Sequence, residues 1–170
     1  MPVFPLAPEH EPALEDFLAD FDAAGEREVP AFFPDRAWPH AEKVEKLAAW
    51  ARGEGIEEGW VPCTSLFAFD GSELVGVLNV RHRLTEALRR FGGHIGYSVR
   101  PSARRRGHGH RLLAGGVDFA RSLGIERVLL TCEPSNTGSV RIIEAAGGIL
   151  EGTGFHEGEG KEVSVYWIEI

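Results

Sequence analysis

The sequence predicts a mixed α/β (α+β) domain, one mixed central sheet flanked by helices. Three observations lead there. Apolar residues recur at helical spacing up to about residue 52, then switch to strand alternation from residue 60 onward. Segments 65–69 and 73–80 are joined by Asp70-Gly71-Ser72, a hairpin signal. Segment 94–99 runs through Pro101 into a glycine-rich turn and a helical pattern, and the apolar segment 127–132 follows. That is a strand–helix–strand crossover, which joins parallel strands.

Composition bounds the class. A chain of 170 residues suits one domain spanning 1–170 and buries a proper core. Apolar residues make up 43% and charged residues 26%, which suits a water-exposed globular surface. No stretch approaches the ~18 apolar residues of a membrane span, and Met1-Pro2-Val3-Phe4-Pro5 lacks signal-peptide features, so no membrane role is expected. Cys63 and Cys132 sit in separate apolar stretches and form no disulfide framework, which points to a reducing, cytoplasmic setting. The net charge of −8 hides an asymmetry: residues 1–60 hold 14 Asp/Glu against 5 Lys/Arg, while 81–111 hold 9 Arg against Glu86 alone. An arginine-dense patch on an acidic chain suits a small anionic ligand. Nucleic acid is not expected, because Arg104-Arg105-Arg106 lacks interleaved aromatics and the chain is acidic.

Taken in order, 3–6 reads as a short strand. Segment 9–21 reads as a helix with Leu14, Phe17, Leu18 and Phe21 on one face. Pro30, Pro34 and Pro39 keep 25–38 irregular. Val44, Leu47, Ala48 and Ala51 mark a helix over 40–52. After the 65–80 hairpin come a helical turn within 84–90, a strand over 94–99 and a helix over 108–123, ended by Gly124. A buried strand over 127–132, a helix over 136–146, and strands 149–155 and 163–170 around Glu157-Gly158-Glu159-Gly160 complete the chain. No repeat or linker interrupts it.

The most informative stretch is Arg104-Arg105-Arg106-Gly107-His108-Gly109-His110 between strand and helix. Gly107 and Gly109 allow a ligand close to the backbone, and the first helical turn offers free N–H groups at the positive end of the dipole. Three arginines add charge, so the loop suits a phosphate or pyrophosphate. The third glycine of a dinucleotide fingerprint is replaced by Leu112, and no G-x-x-x-x-G-K-[ST] string occurs. His108 and His110 lack the cysteine or carboxylate partners of a metal site, so no metal is expected.

Arg104-x-x-Gly107-x-Gly109 after the Val99-Arg100-Pro101 strand end resembles the acetyl-CoA pyrophosphate loop of the GNAT N-acetyltransferases. Asn136-x-x-Ser139-x-x-x-Ile143-Glu144-x-x-Gly147-Gly148 is similar to the family's Asn-x-x-Ala-x-x-Leu-Tyr-Glu-x-x-Gly-Phe. The likeness covers residues 65–156, the expected cofactor-binding core. A subgroup of the family also reads like Trp60-Val61-Pro62, Leu78-x-x-Arg81-His82-x-Leu84 and Gly92-Gly93-His94-Ile95-Gly96-Tyr97.

The resemblance implies a GNAT fold and direct acetyl transfer from acetyl-CoA to an amine, the acceptor a small molecule with a protein N-terminus or lysine left open, the protein a monomer or homodimer. It implies that the strand ending at Val99 splays from its neighbour, with Tyr97, Ser98 and Val99 along the thioester and pantetheine and a backbone N–H near Val99 as oxyanion donor. Arg104, Arg105, Arg106, Gly107, His108, Gly109 and His110 would hold the pyrophosphate, and Asn136, Ser139 and Ile143 would face the cofactor. The family's tyrosine, a candidate acid for the leaving thiolate, is Ile143 here. Tyr97 joins His94 and His82 as the catalytic candidates. His94 is the first choice for general base because imidazole titrates near neutrality, though alternation gives it the face of Gly96 and Ser98. His82, Glu26 and Glu28 are alternatives. Without a tyrosine at 143, a non-catalytic acyl-CoA sensor on the same fold is the rival reading.

Overall fold

In a computed structural model, which describes residues 1–156, 158 and 160–170, the chain forms seven strands and five helices among the described residues. The turn expected around Glu157-Gly158-Glu159-Gly160 includes Glu157 and Glu159, which lie outside the described residues.

Strand β1 (Val3–Phe4) is cut short by Pro5 and pairs antiparallel with β2 (Cys63–Asp70). A 3-10 turn over Pro8–His10 leads into α1 (Glu11–Ala23), and α2 is His40–Arg52. Strand β3 (Glu73–Arg81) pairs with β2 and with β4 (Ile95–Val99), both antiparallel, and α3 is the short Glu86–Arg90. Then follow α4 (His108–Ser122), β5 (Arg127–Cys132), α5 (Thr137–Ala145), β6 (Ile149–His156) and β7 (Lys161–Glu169).

The sheet is not continuous. One sheet runs β1-β2-β3-β4 and the other β5-β7-β6, each antiparallel throughout. The α4 crossover therefore delivers β5 beside β4 without building the ladder that the sequence pattern suggests. The two edges meet beside Gly92, whose N–H donates to Thr131 Oγ1 at 2.9 Å: the His94 N–H donates to Leu129 O at 2.7 Å, and the Leu129 N–H donates to His94 Nδ1 at 2.9 Å. An imidazole nitrogen thus stands where a second backbone carbonyl would be. Gly93 (φ +62°) permits this contact, because a Cβ there would run into the Leu129 carbonyl.

The alternation of the first sheet splits its apolar residues between two cores. Leu66, Leu78, Val80 and Ile95 pack under Leu112, Leu113 and Ala120 of α4, joined by Leu130 and Ile143. On the other face Phe67 and Val77 meet Phe17 and Phe21 of α1 and Leu47 and Trp50 of α2. Phe17 and Phe21 are fully buried. Each such side chain contributes about 1.5–3 kcal/mol, so this apolar stripe fixes α1 on the sheet and leaves Glu11 and Glu15 in solvent.

Candidate active site

The site follows from which backbone groups each edge leaves free. In the β3–β4 pair the Arg81 N–H donates to His94 O and the Arg100 N–H to Val75 O. With the register Gly76↔Val99, Leu78↔Tyr97 and Val80↔Ile95, those three are the non-hydrogen-bonded pairs of the ladder. The N–H groups of Ile95, Tyr97 and Val99 therefore point away from β3, toward β5. On the facing edge the Ile170 N–H donates to Glu126 O, so the same alternation turns the backbone of Leu129 and Thr131 toward β4. Beyond the His94–Leu129 contact the two edges open into a cavity of about 710 Å³. Ile95, Gly96 and Tyr97 line one wall, Leu130 to Glu133 the other, with Asn136, Ser139 and Ile143 at the end nearer α5. The opposite end is closed by residues 27–34, Arg36, Arg81, Phe91 and Gly92.

Two hydroxyls meet in this cavity. Tyr97 Oη lies 3.1 Å from Ser139 Oγ, and burial pushes the phenol up to about 12. The group stays protonated at any working pH. Burial also raises the Cys132 thiol, which lies beside Ser139. Ile143 is buried and lines the cavity, and Gly148 packs so closely on it that a Cβ would collide with the Ile143 side chain and carbonyl. That contact accounts for a glycine where the family pattern carries an aromatic. Asn136 caps α5, its side chain accepting from the Ser139 N–H at 3.0 Å, and it lines the cavity as well.

At the start of α4 no side chain caps the helix, and among the described residues the N–H groups of His108, Gly109 and His110 donate to no backbone carbonyl. Gly107 has φ +82° with nothing within 4 Å of where a Cβ would be, and Gly109 packs against Ile142 too closely for a side chain. An open cradle of free N–H groups is what a pyrophosphate requires. Arg105 (φ +65°) and Arg106 are exposed and in no ion pair among the described residues. The His108 ring is buried in the core, its Nδ1 without a partner among the described residues, so His108 offers the cradle only its backbone.

Several expected residues lie elsewhere. Arg104 grips Glu26 through both carboxylate oxygens at 2.6 Å and donates from Nε to Val99 O at 3.2 Å, so it braces the loop against the segment after α1. The Arg104 hydrogen bonds hold the Glu26 carboxyl below its usual range, which removes Glu26 as a base. Ser98 does not line the cavity and donates to Pro30 O at 2.5 Å, on the face opposite Tyr97. As alternation implies, Gly96 shares that face, close under Ala31. His94 is buried, does not line the cavity, and is pushed down to about 4 by burial and by Arg89 and Arg81. His82 Nε2 bonds Thr64 Oγ1 at 2.8 Å, outside the cavity lining, and burial lowers it too. Arg100, buried at the end of β4, pairs with Asp16, Asp20 and Glu73. Part of the arginine density is therefore structural. The pattern gave no place to Thr131, because the splay that exposes it is a tertiary event.

Comparison with known proteins agrees with this geometry. Residues 21–147 match the family described as the acetyltransferase (GNAT) family. The chain belongs to that family. It is an N-acetyltransferase with acetyl-CoA as its acyl donor. No curated protein matches it. Among solved structures, RimJ of Mycobacterium smegmatis in complex with a CoA disulfide is similar at 20% identity and TM-score 0.70, covering 98% of this chain and 80% of that one. RimL, a ribosomal L7/L12 alpha-N-protein acetyltransferase in complex with coenzyme A, is similar at 19% identity and TM-score 0.69, covering 99% and 93%. YncA of Salmonella typhimurium, a putative acetyltransferase with acetyl-CoA, follows at 16% identity and TM-score 0.63, covering 99% and 92%. At such identities the likeness is one of fold. No described helix of this GNAT chain is long and apolar enough to cross a membrane.

Proposed function

We propose that this GNAT protein acetylates the amine of a small molecule seated at the 27–36 end of the cavity. The observation that carries the reading is the row of N–H groups on β4, at Ile95, Tyr97 and Val99, turned away from β3, with Ile95 and Tyr97 lining a cavity that holds two hydroxyls. Acetyl-CoA supplies a thioester acyl carbon open to direct attack by a neutral amine.

The protein's part divides by element. The free N–H groups of His108, Gly109 and His110, with Arg105 and Arg106, hold the pyrophosphate. The N–H groups of Val99 and Tyr97 bind the pantetheine and polarise the thioester carbonyl. The Tyr97 and Ser139 hydroxyls hold a proton beside the leaving sulfur, the task for which the family's tyrosine is missing at Ile143. A thiol with a pKa near ~8.5 leaves readily, so this donor adds to the rate without being indispensable. Glu28 lines the acceptor end and is in no ion pair among the described residues, whereas Glu133 pairs with Lys161. We assign Glu28 the role of drawing the proton from the ammonium group, directly or through water. His94, neutral and bonded to Leu129, joins the two edges at the mouth of the gap rather than moving protons.

Thiol release from acetyl-CoA with a panel of small amines tests the reading. Amine-dependent release is expected, reduced roughly 10²-fold or more in Glu28→Gln. No release with any amine, from a protein that binds acetyl-CoA by calorimetry, overturns it.

A further inference from the structure

Arg81, the last residue of β3, stands where the main cavity meets a second one. This second cavity, of about 220 Å³, is lined mainly by apolar side chains, among them Phe33, Trp60, Val61 and Leu88. Arg81 and Phe33 line both. The guanidinium is fixed on two sides. Its Nη1 donates to Gly92 O at 3.0 Å and Gly93 O at 3.1 Å, and its plane lies over the Phe33 ring, 5.6 Å from the centroid.

What remains of the group is unused. Arginine carries five N–H donors, and the Nη1 pair is spent on the two carbonyls. Nε and Nη2 have no hydrogen-bond partner, and no carboxylate pairs with Arg81, among the described residues. Nε and Nη2 form one edge of the planar fork, the edge that takes a carboxylate through two parallel bonds. Two other cations of the main cavity are already matched, Arg36 with Asp22 and Lys161 with Glu133, while Arg27 is exposed. Burial lowers the Arg81 pKa, so its charge is incompletely solvated.

We infer that Arg81 is the receptor for a carboxylate on the acceptor, and that the acceptor is a free amino acid with an apolar side chain. The carboxylate sits on the Nε/Nη2 edge, the side chain enters the cavity of Phe33, Trp60 and Leu88, and the amine faces Glu28 and the opening between β4 and β5. One unpaired acid and one unpaired arginine edge at the same end match a zwitterion. The apolar cavity beside them selects its side chain. This rests on the acetyltransferase reading and adds specificity to it.

Calorimetry of the full chain, with and without coenzyme A, separates the two claims. Coenzyme A binding reads the donor site. The acceptor site is read by L-phenylalanine and L-leucine against their amides, and by a dipeptide amide. Free acids are expected to bind at least tenfold tighter than amides in wild type. Arg81→Lys keeps a donor for the Gly92 and Gly93 carbonyls and a positive charge but loses the edge, so the preference should collapse to less than threefold with the melting temperature nearly unchanged. Arg81→Gln should abolish it. Amides or the dipeptide amide binding as well as free acids overturn the inference, as does an unaltered preference in Arg81→Lys, even if coenzyme A binds normally.

Discussion

His94 shows how a residue's chemistry is set by its neighbours. As a strand imidazole it looks like a base, but its Nδ1 completes a backbone ladder and its pKa lies near 4. The folded protein therefore binds fewer protons than the unfolded chain between about pH 6.5 and 4. Stability contributed by the neutral ring is complete above the unfolded pKa and is lost as pH falls toward the folded one. The depression corresponds to a loss on the order of 3 kcal/mol. Asp20 and Glu26, whose carboxyls are also depressed, drive stability in the same direction. His94→Asn isolates the histidine, since the asparagine oxygen can accept from Leu129 without titrating. Denaturant melts from pH 7 to 4 should fall less steeply for His94→Asn than for wild type, and parallel curves contradict the assignment. His94→Leu should destabilise by about 1–3 kcal/mol, the cost of an unsatisfied buried N–H. Tyr97 carries the complementary expectation at the same scale. Tyr97→Phe should lower kcat about tenfold or more with little change in the KM for acetyl-CoA, and Ser139→Ala should do so more weakly. In single-turnover assays, an unchanged rate in both variants removes the hydroxyl pair from the chemistry. Alternation placed His94 apart from Tyr97, and the family resemblance pointed to Tyr97, which lines the cavity as His94 does not. The junction role was not, because no periodicity records a side chain standing in for a carbonyl.

The elements are where the sequence spoke most clearly. The 3.6-residue spacing in α1 and α2, the Asp70-Gly71 hairpin and the strand–glycine–helix unit at β4–α4 all form as their residues require. The α4 N-terminus carries its own prediction. Gly107→Val forces a branched residue to φ +82° and sets it in the open cradle, so acetyl-CoA affinity should fall at least tenfold by calorimetry. Far-UV circular dichroism should remain that of wild type. Equal affinity would detach the loop from the donor site. Arg104→Ala acts differently from Arg105→Ala or Arg106→Ala. Arg104 is bound to Glu26 and Val99, so its loss should loosen the loop and be matched by Glu26→Gln, whereas loss of Arg105 or Arg106 should weaken binding in proportion to salt. An Arg104→Ala affinity loss that Glu26→Gln does not reproduce would return Arg104 to the pyrophosphate. Three adjacent arginines look alike in the sequence, and only the acid 78 residues upstream distinguishes the first of them.

For the molecule as a whole, function comes from a sheet that fails to close. Two antiparallel sheets touch at His94–Leu129, and everything past that contact is a gap whose walls carry unpaired backbone donors. The motif at Asn136 to Gly148 and the loop at Arg104 to Gly109 indicate the donor side from sequence alone. The acceptor side is less legible, because residues 27–36 have no periodicity and reach the site only by packing over β4 through Ser98 and Pro30. The central claim is that the outward N–H groups of β4 and the first turn of α4 are the acyl-donor site. Titrating acetyl-CoA into uniformly ¹⁵N-labelled protein tests it most directly. The account predicts that the amide resonances of Tyr97, Val99, Gly107, His108, Gly109 and His110 shift most, in one saturable process. Shifts confined to other segments, with these six amides unmoved at saturation, would contradict it.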